Sequence, residues 1–175
     1  HLHIGAGRTI PQELVRINRM IESGEFAADD AIRSAAETAN ANDGTVHIMG
    51  IASDGGVHGH IDHFTALMDV FAGYGCEVRT HPFLDGRDVQ PTSADTFLQR
   101  IDSTADDLAA RYEEDRNDYF VSPVIVEDAY EPVRPGDVVV FSNWRKDRAR
   151  QLTRAFTEDG FDRFPTEDPS QFNFV

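Results

Sequence analysis

The stretch TVHIMGIAS, residues 45–53, is apolar at almost every position and lies between turn signals, Asn42-Asp43-Gly44 before it and Asp54-Gly55-Gly56 after it. A strand with one face in water alternates apolar and polar residues. A continuous apolar run fits a strand covered on both faces, which is the habit of parallel sheets flanked by helices. The segment that follows, HIDHFTALMDVFAGYG, places Ile61, Phe64, Leu67, Met68 and Phe71 on one side of a helix.

The unit of strand, loop and helix then recurs. CEVRTHPFL reads as a strand, DGRDVQPTSA as a loop and SADTFLQRI as a helix starting at a Ser93 cap. TADDLAARYEED reads as a further helix, YFVSPVIVE as a strand, PGDVVVFSNW as a turn and strand, and RKDRARQLTRAFTEDG as the helix behind it. Two helices come earlier: PQELVRINRMIESGEF, opened by Pro11 and closed by Gly24, and AADDAIRSAAETANANDG. The pattern predicts an α/β fold, a three-layer α/β/α sandwich with a mainly parallel central sheet. At 175 residues the chain suffices for one well-packed domain. The tail FPTEDPSQFNFV, rich in Pro and Asp before it turns apolar, reads as a linker.

Charge narrows the range of partners. Thirty-one acids against 16 bases give a net charge of −15, and Lys146 is the only lysine. Such a surface stays hydrated in concentrated salt, where its self-repulsion is screened, so the chain reads as salt-adapted, halophilic-like and cytoplasmic. The same field repels nucleic acid and anionic membrane. No apolar run approaches the ~20 residues of a membrane span, and the N-terminus carries no signal-peptide pattern. The one cysteine, Cys76, rules out an internal disulfide and is expected as a buried structural thiol.

In open parallel sheets ligands bind beyond the carboxyl ends of the strands. Three such ends carry reactive or cationic groups here: Asp54-Gly55-Gly56-Val57-His58, Asp85-Gly86-Arg87-Asp88, and Arg145, Lys146 and Arg148 at a helix start. Cations there oppose the helix dipole, whereas a bound anion would satisfy both the guanidinium groups and the free N–H donors. His58-x-His60-x-Asp62-His63 also matches the H-x-H-x-D-H spacing of a di-zinc hydrolase. That reading lacks ligands, since His81 is the only histidine after His63 and lies in an expected strand. His60 and His63 fit helix-start or packing positions, and His47 and His81 satisfied sheet histidines. Trp144 reads as core, with a cover over the site as the alternative. A stand-alone module that binds a phosphorylated metabolite without catalysis stays open on these grounds.

Four motifs in order, HLHIGAGR, SDGGVHGHIDH, FLDGRDVQPTSA and FSNWRKDRARQLTRAF, resemble the cofactor-independent phosphoglycerate mutases, whose counterparts run roughly S-D-G-G-V-H-S-H, F-L-D-G-R-D-T-P-P and F-N-F-R-P-D-R-A-R-Q. The likeness spans almost the whole chain. It implies two cooperating domains: a phosphatase-like one with a serine nucleophile and two Mn2+ ions, and an inserted α/β domain that holds the phosphoglycerate. This chain resembles the inserted, phosphotransferase domain, with residues 11–164 as its body and 1–10 and 165–175 as linkers to the phosphatase-like domain. By the same resemblance His58, Arg87, Asp88, Arg145 and Arg148 would line the substrate site. The arginines would bind carboxylate and phosphate, Asp88 would act as general acid/base, and His58 would orient the substrate.

The pair interconverted would be 2- and 3-phosphoglycerate, in glycolysis and gluconeogenesis, through a phosphoserine. The serine and metal ligands would lie outside this chain, leaving it without a metal or cofactor of its own and without turnover. It is expected to act as a monomer. Two departures stand out. The family's segment G-R-Y-Y-A-M-D-R-D-x-R-W, with two more substrate arginines, has no counterpart between FLQRID and STADDLAARYEED, and Trp144 and Lys146 replace a usual phenylalanine and proline.

Overall fold

A computed structural model describes residues 7, 11–101, 132–165 and 173–175, together forming one parallel sheet with helices on both faces. In chain order the elements are α1 (Glu13–Ser23), α2 (Asp30–Ala41), β1 (Thr45–Ile51), α3 (Ile61–Gly73), β2 (Glu77–Phe83), α4 (Ala94–Leu98) running into a 3-10 turn (Gln99–Ile101), β3 (Val138–Phe141), α5 (Lys146–Thr157) and β4 (Asn173–Phe174). The strand order is β2-β1-β3-β4, every pair parallel. The helix and strand expected from TADDLAARYEED and YFVSPVIVE lie outside the described residues.

Register explains why β1 is apolar at most positions. Val46 and Ile48 align with Val78 and Thr80 on one side and Val138 and Val140 on the other, facing the core against α2 and α3. Phe64 and Phe71 of α3 and Ala36 and Ala39 of α2 are fully buried there. The alternate residues His47, Met49 and Ile51 occupy the opposite face. There Phe141, Phe174 and Phe156 of α5 pack in sequence, the first pair edge-on and the second tilted, with ring centroids 6.4 and 5.6 Å apart. Two layers of helix around one sheet make the three-layer sandwich. Pro82 falls in β2, which among the described residues is an edge strand pairing with β1 alone, a position where proline's missing N–H is tolerated.

Three local expectations change. Ser93 precedes α4, but its hydroxyl donates to the Gln90 carbonyl at 2.8 Å and makes no cap bond. Cys76 is half-buried just outside β2, its Sγ 3.8 Å from the Ala36 carbonyl. The final residues, expected as linker, re-enter the sheet: Asn173 and Phe174 align with Val138 and Val139 as an edge strand. Residues 166–172 lie outside the described residues.

Candidate functional site

The chain leaves β1 to build β2 on one side and crosses back to build β3 on the other, so the connections diverge at the carboxyl ends of β1 and β3. Such a switch point opens a crevice between the outgoing loops. It is filled here by three loops: 52–60 after β1, 84–93 after β2 and 142–145 after β3. Close backbone packing requires small residues. A side chain at Gly50 would put its Cβ 1.9 Å from Ser142 Oγ, and one at Gly59 would meet Asn143 Oδ1 at 2.8 Å. Gly56 turns the first loop with φ +67, in the left-handed region that glycine enters freely.

His58 ties the three loops together. Its carbonyl accepts the Trp144 N–H at 3.0 Å and the Arg145 N–H at 3.5 Å. Its ring Nδ1 lies 2.8 Å from Asp88 Oδ2, with both side chains largely buried. A carboxylate accepts only, so the neutral imidazole carries its proton on Nδ1 and leaves Nε2 with a lone pair. Asn143 Oδ1 accepts the Ile51 N–H at 2.9 Å, pinning the third loop to the end of β1. A cleft of about 210 Å³ opens beside this group, lined by His58, Arg87 and Asp88 with Ile51, Phe83 and Phe141 among its apolar neighbours. Arg87 is exposed and, among the described residues, its guanidinium makes no ion pair. An apolar floor with a convergent imidazole, carboxylate and guanidinium is suited to a small anionic ligand with hydroxyl groups.

The other candidates disperse. Arg145 stands at the N-cap of α5, 47% exposed, with its Nε 3.2 Å from Asp147 Oδ1, so its guanidinium faces an acid of its own helix rather than lining the cleft. The side chain of Arg148 lies outside the described residues. The histidines of the H-x-H-x-D-H pattern have separate uses. His60 caps α3 by accepting the Asp62 N–H at 3.1 Å. His63 is 2% exposed, with Nε2 2.5 Å from Asn18 Oδ1 and its ring against Trp144. Burial first, then the nearby His60, pushes His63 down to about 4. Among the described residues, no three His, Cys, Asp or Glu side chains are grouped to hold a metal ion.

Residues that sequence reasoning passed over do much of the positioning. Asp85, Ser53 and Asn143 are polar groups without a reactive role, and only the Asp-Gly-x-Asp turn pattern marked the first of them. At the foot of the sheet a separate cavity of about 240 Å³ is lined by His47, Arg79, Arg134 and Asp137 among others. There His47 Nε2 lies 3.2 Å from Asp137 Oδ2 and His47 Nδ1 lies 2.9 Å from His81 Nε2. Asp137 also accepts the Thr45 and Arg134 N–H groups at 2.8 and 2.6 Å. Burial lowers both imidazoles, taking His81 down to about 4, so these are neutral sheet histidines. Though larger, this cavity lies at the amino ends of the strands, away from the crevice.

Fold and crevice define an α/β domain of the open parallel-sheet class, with polar groups gathered at the switch point. The sequence profile of the family described as BPG-independent PGAM N-terminus matches residues 17–110 and 100–175, and the chain belongs to that family. It is 38% identical to the 2,3-bisphosphoglycerate-independent phosphoglycerate mutase of Moorella thermoacetica over 214 residues, covering 94% of this chain and 42% of the relative. The enzyme of the same name from Salinibacter ruber is 33% identical, with 100% of this chain and 44% of the relative covered. The chain thus spans less than half the length of these relatives.

A structure titled as Leishmania mexicana phosphoglycerate mutase at low cobalt concentration superposes with a TM-score of 0.86 at 21% identity, over 96% of this chain and 41% of that one, and so shares the fold. The Moorella alignment runs over 214 positions, more than the 175 of this chain, so that relative carries internal residues with no counterpart here. The two profile matches overlap at 100–110, the stretch in which the sequence reading places the departure from the family pattern.

Proposed function

We propose that this chain is the substrate-binding, phosphotransferase part of a phosphoglycerate mutase that interconverts 2- and 3-phosphoglycerate through a phosphoserine. The observation that carries the reading is the His58–Asp88 pair facing a cleft shared with Arg87 at the β1/β3 switch point. In this reading Arg87, with Arg145 and Arg148 swung in from the start of α5, holds the carboxylate and phosphate of the substrate. Asp88 takes or returns the proton of the attacking or leaving hydroxyl, and His58, held by Asp88 and the third loop, orients the glycerate. Guanidinium forks suit both anionic ends because each can accept two parallel N–H bonds.

The nucleophilic serine and two manganese ions belong, on this proposal, to a phosphatase-like domain of the same full-length protein. Residues 11–164, with the edge strand β4, then form the substrate domain, and the flanking stretches join it to that partner. The metals would supply a Lewis acid for phosphoryl transfer. The chain alone would bind phosphoglycerate without turning it over, as a monomer in the cytoplasm.

Calorimetric titration with 3-phosphoglycerate in concentrated KCl tests the reading. Saturable binding that weakens at least ~10-fold in Arg87→Ala and in Asp88→Ala supports it, a loss in keeping with removing a charge-assisted contact. Binding that neither substitution alters would place the ligand elsewhere and refute it.

A further inference from the structure

We infer that Asp85 is the positioning residue of the cleft: its buried carboxylate locks the 84–88 turn to the 52–60 loop and so sets the His58–Asp88 pair. Asp85 is 5% exposed, yet it lies in a loop at the mouth of the sheet rather than in the core. Its Oδ1 accepts the Arg87 N–H at 3.1 Å and the Asp88 N–H at 2.9 Å. Its Oδ2 accepts the Ser53 hydroxyl at 2.6 Å. Ser53, 1% exposed, in turn lies 3.4 Å from the Gly55 N–H, and its carbonyl accepts the Ile61 N–H at 2.8 Å where α3 begins.

One carboxylate therefore fixes the backbone of the two residues that face the ligand and bridges them to the loop that carries His58. The fit is close, because a Cβ on Gly55 would sit 3.0 Å from Asp88 Cβ and 3.3 Å from Asp85 Oδ2. Asp88 can reach His58 Nδ1 only while the turn keeps this form. A buried carboxylate this fully hydrogen-bonded is costly to disturb, since both N–H groups would be left without an acceptor. Its role needs the acceptor geometry rather than the charge. An asparagine amide can take the same two N–H bonds through its oxygen and donate to Ser53 Oγ through its nitrogen.

The binding half of the test rests on the phosphoglycerate reading above; the imidazole half does not. At pH 8 the His58 tautomer is read by long-range 15N–1H NMR, alongside calorimetry with 3-phosphoglycerate, for the unaltered chain and for D85A, D85N and S53A. The unaltered chain is expected to hold His58 with its proton on Nδ1, against the preference of a free imidazole for Nε2–H. D85A is expected to shift His58 toward Nε2–H and to weaken phosphoglycerate at least ~10-fold. D85N is expected to keep the Nδ1–H tautomer, with affinity within about threefold of the unaltered chain, as fits a geometric rather than a charge role.

A folded D85A with the tautomer unchanged overturns the inference, as does a D85N that behaves like D85A. Should D85A fail to fold, S53A decides, because it severs the bridge and leaves both backbone contacts; an unchanged tautomer there overturns the inference. Absence of phosphoglycerate binding in the unaltered chain would refute the substrate reading while the tautomer still judges Asp85.

Discussion

His63 gives the chain a specific sensitivity to acid. Its ring lies buried between α1, α3 and Trp144, with Nε2 bonded to Asn18 and Nδ1 without a partner among the described residues. Burial and the adjacent His60 hold it down to about 4, against an ordinary 6.5. The folded state therefore keeps the imidazole neutral while the unfolded chain takes up a proton below pH ~6.5. Stability from this group is complete above that value and declines as the pH falls toward 4. At pH 5 the loss is roughly 2 kcal/mol and further acidification brings it to roughly 3 kcal/mol. That is a large share of a typical 5–15 kcal/mol.

The assay is urea unfolding at fixed KCl from pH 8 to 5, comparing the chain with His63→Gln, whose amide N–H can still reach Asn18. The substitution sacrifices ring packing at pH 8, and the difference between the two proteins is expected to shrink by roughly 2 kcal/mol at pH 5. Parallel pH profiles would refute the argument that His63 is neutral in the fold.

Other expectations follow from packing and charge. Phe64→Ala empties a fully buried site in the main core and should lower stability by ~3–5 kcal/mol in chemical denaturation; a loss under ~1 kcal/mol would contradict the packing. Gly50→Ala drives a methyl into Ser142 Oγ and should lower stability by ~1–3 kcal/mol, with partial recovery in the double variant Gly50→Ala/Ser142→Gly; no recovery would mean the contact is not the cause. With a net charge of −15, the melting temperature should rise between ~0.2 and ~2 M KCl, and a flat or falling curve would count against salt adaptation.

The sheet was legible because burial on both faces leaves nearly continuous apolar runs, as in β1 between its glycine turns and in β3 after Pro135-Gly136. The loops after β1 and β2 were legible because Gly-rich turns and reactive side chains coincided there. What escaped depends on tertiary geometry. Ser93 has the right residue type for a cap and stands at the start of α4, but its hydroxyl donates to the Gln90 carbonyl and accepts no cap bond. Phe174 reads as an apolar end of a linker until the edge of β3 supplies its partner. Arg145 stands where an anion would be held, yet Asp147, two residues on, takes its guanidinium. Asp85 stood out only as the start of the Asp85-Gly86-Arg87-Asp88 loop, since nothing in a sequence separates a buried acceptor of three hydrogen bonds from a solvated carboxylate.

The most direct test of the account is an amide NMR titration of the chain with 3-phosphoglycerate, because it reports which end of the sheet the ligand occupies. Saturable shifts at Gly55, Gly56, His58, Gly86, Arg87, Asp88 and Arg145, with Asp43, Gly44 and Arg134 unmoved, are the expected result. Shifts confined to Asp43, Gly44, Arg134 and Asp137 would put the ligand in the cavity at the foot of the sheet and contradict it.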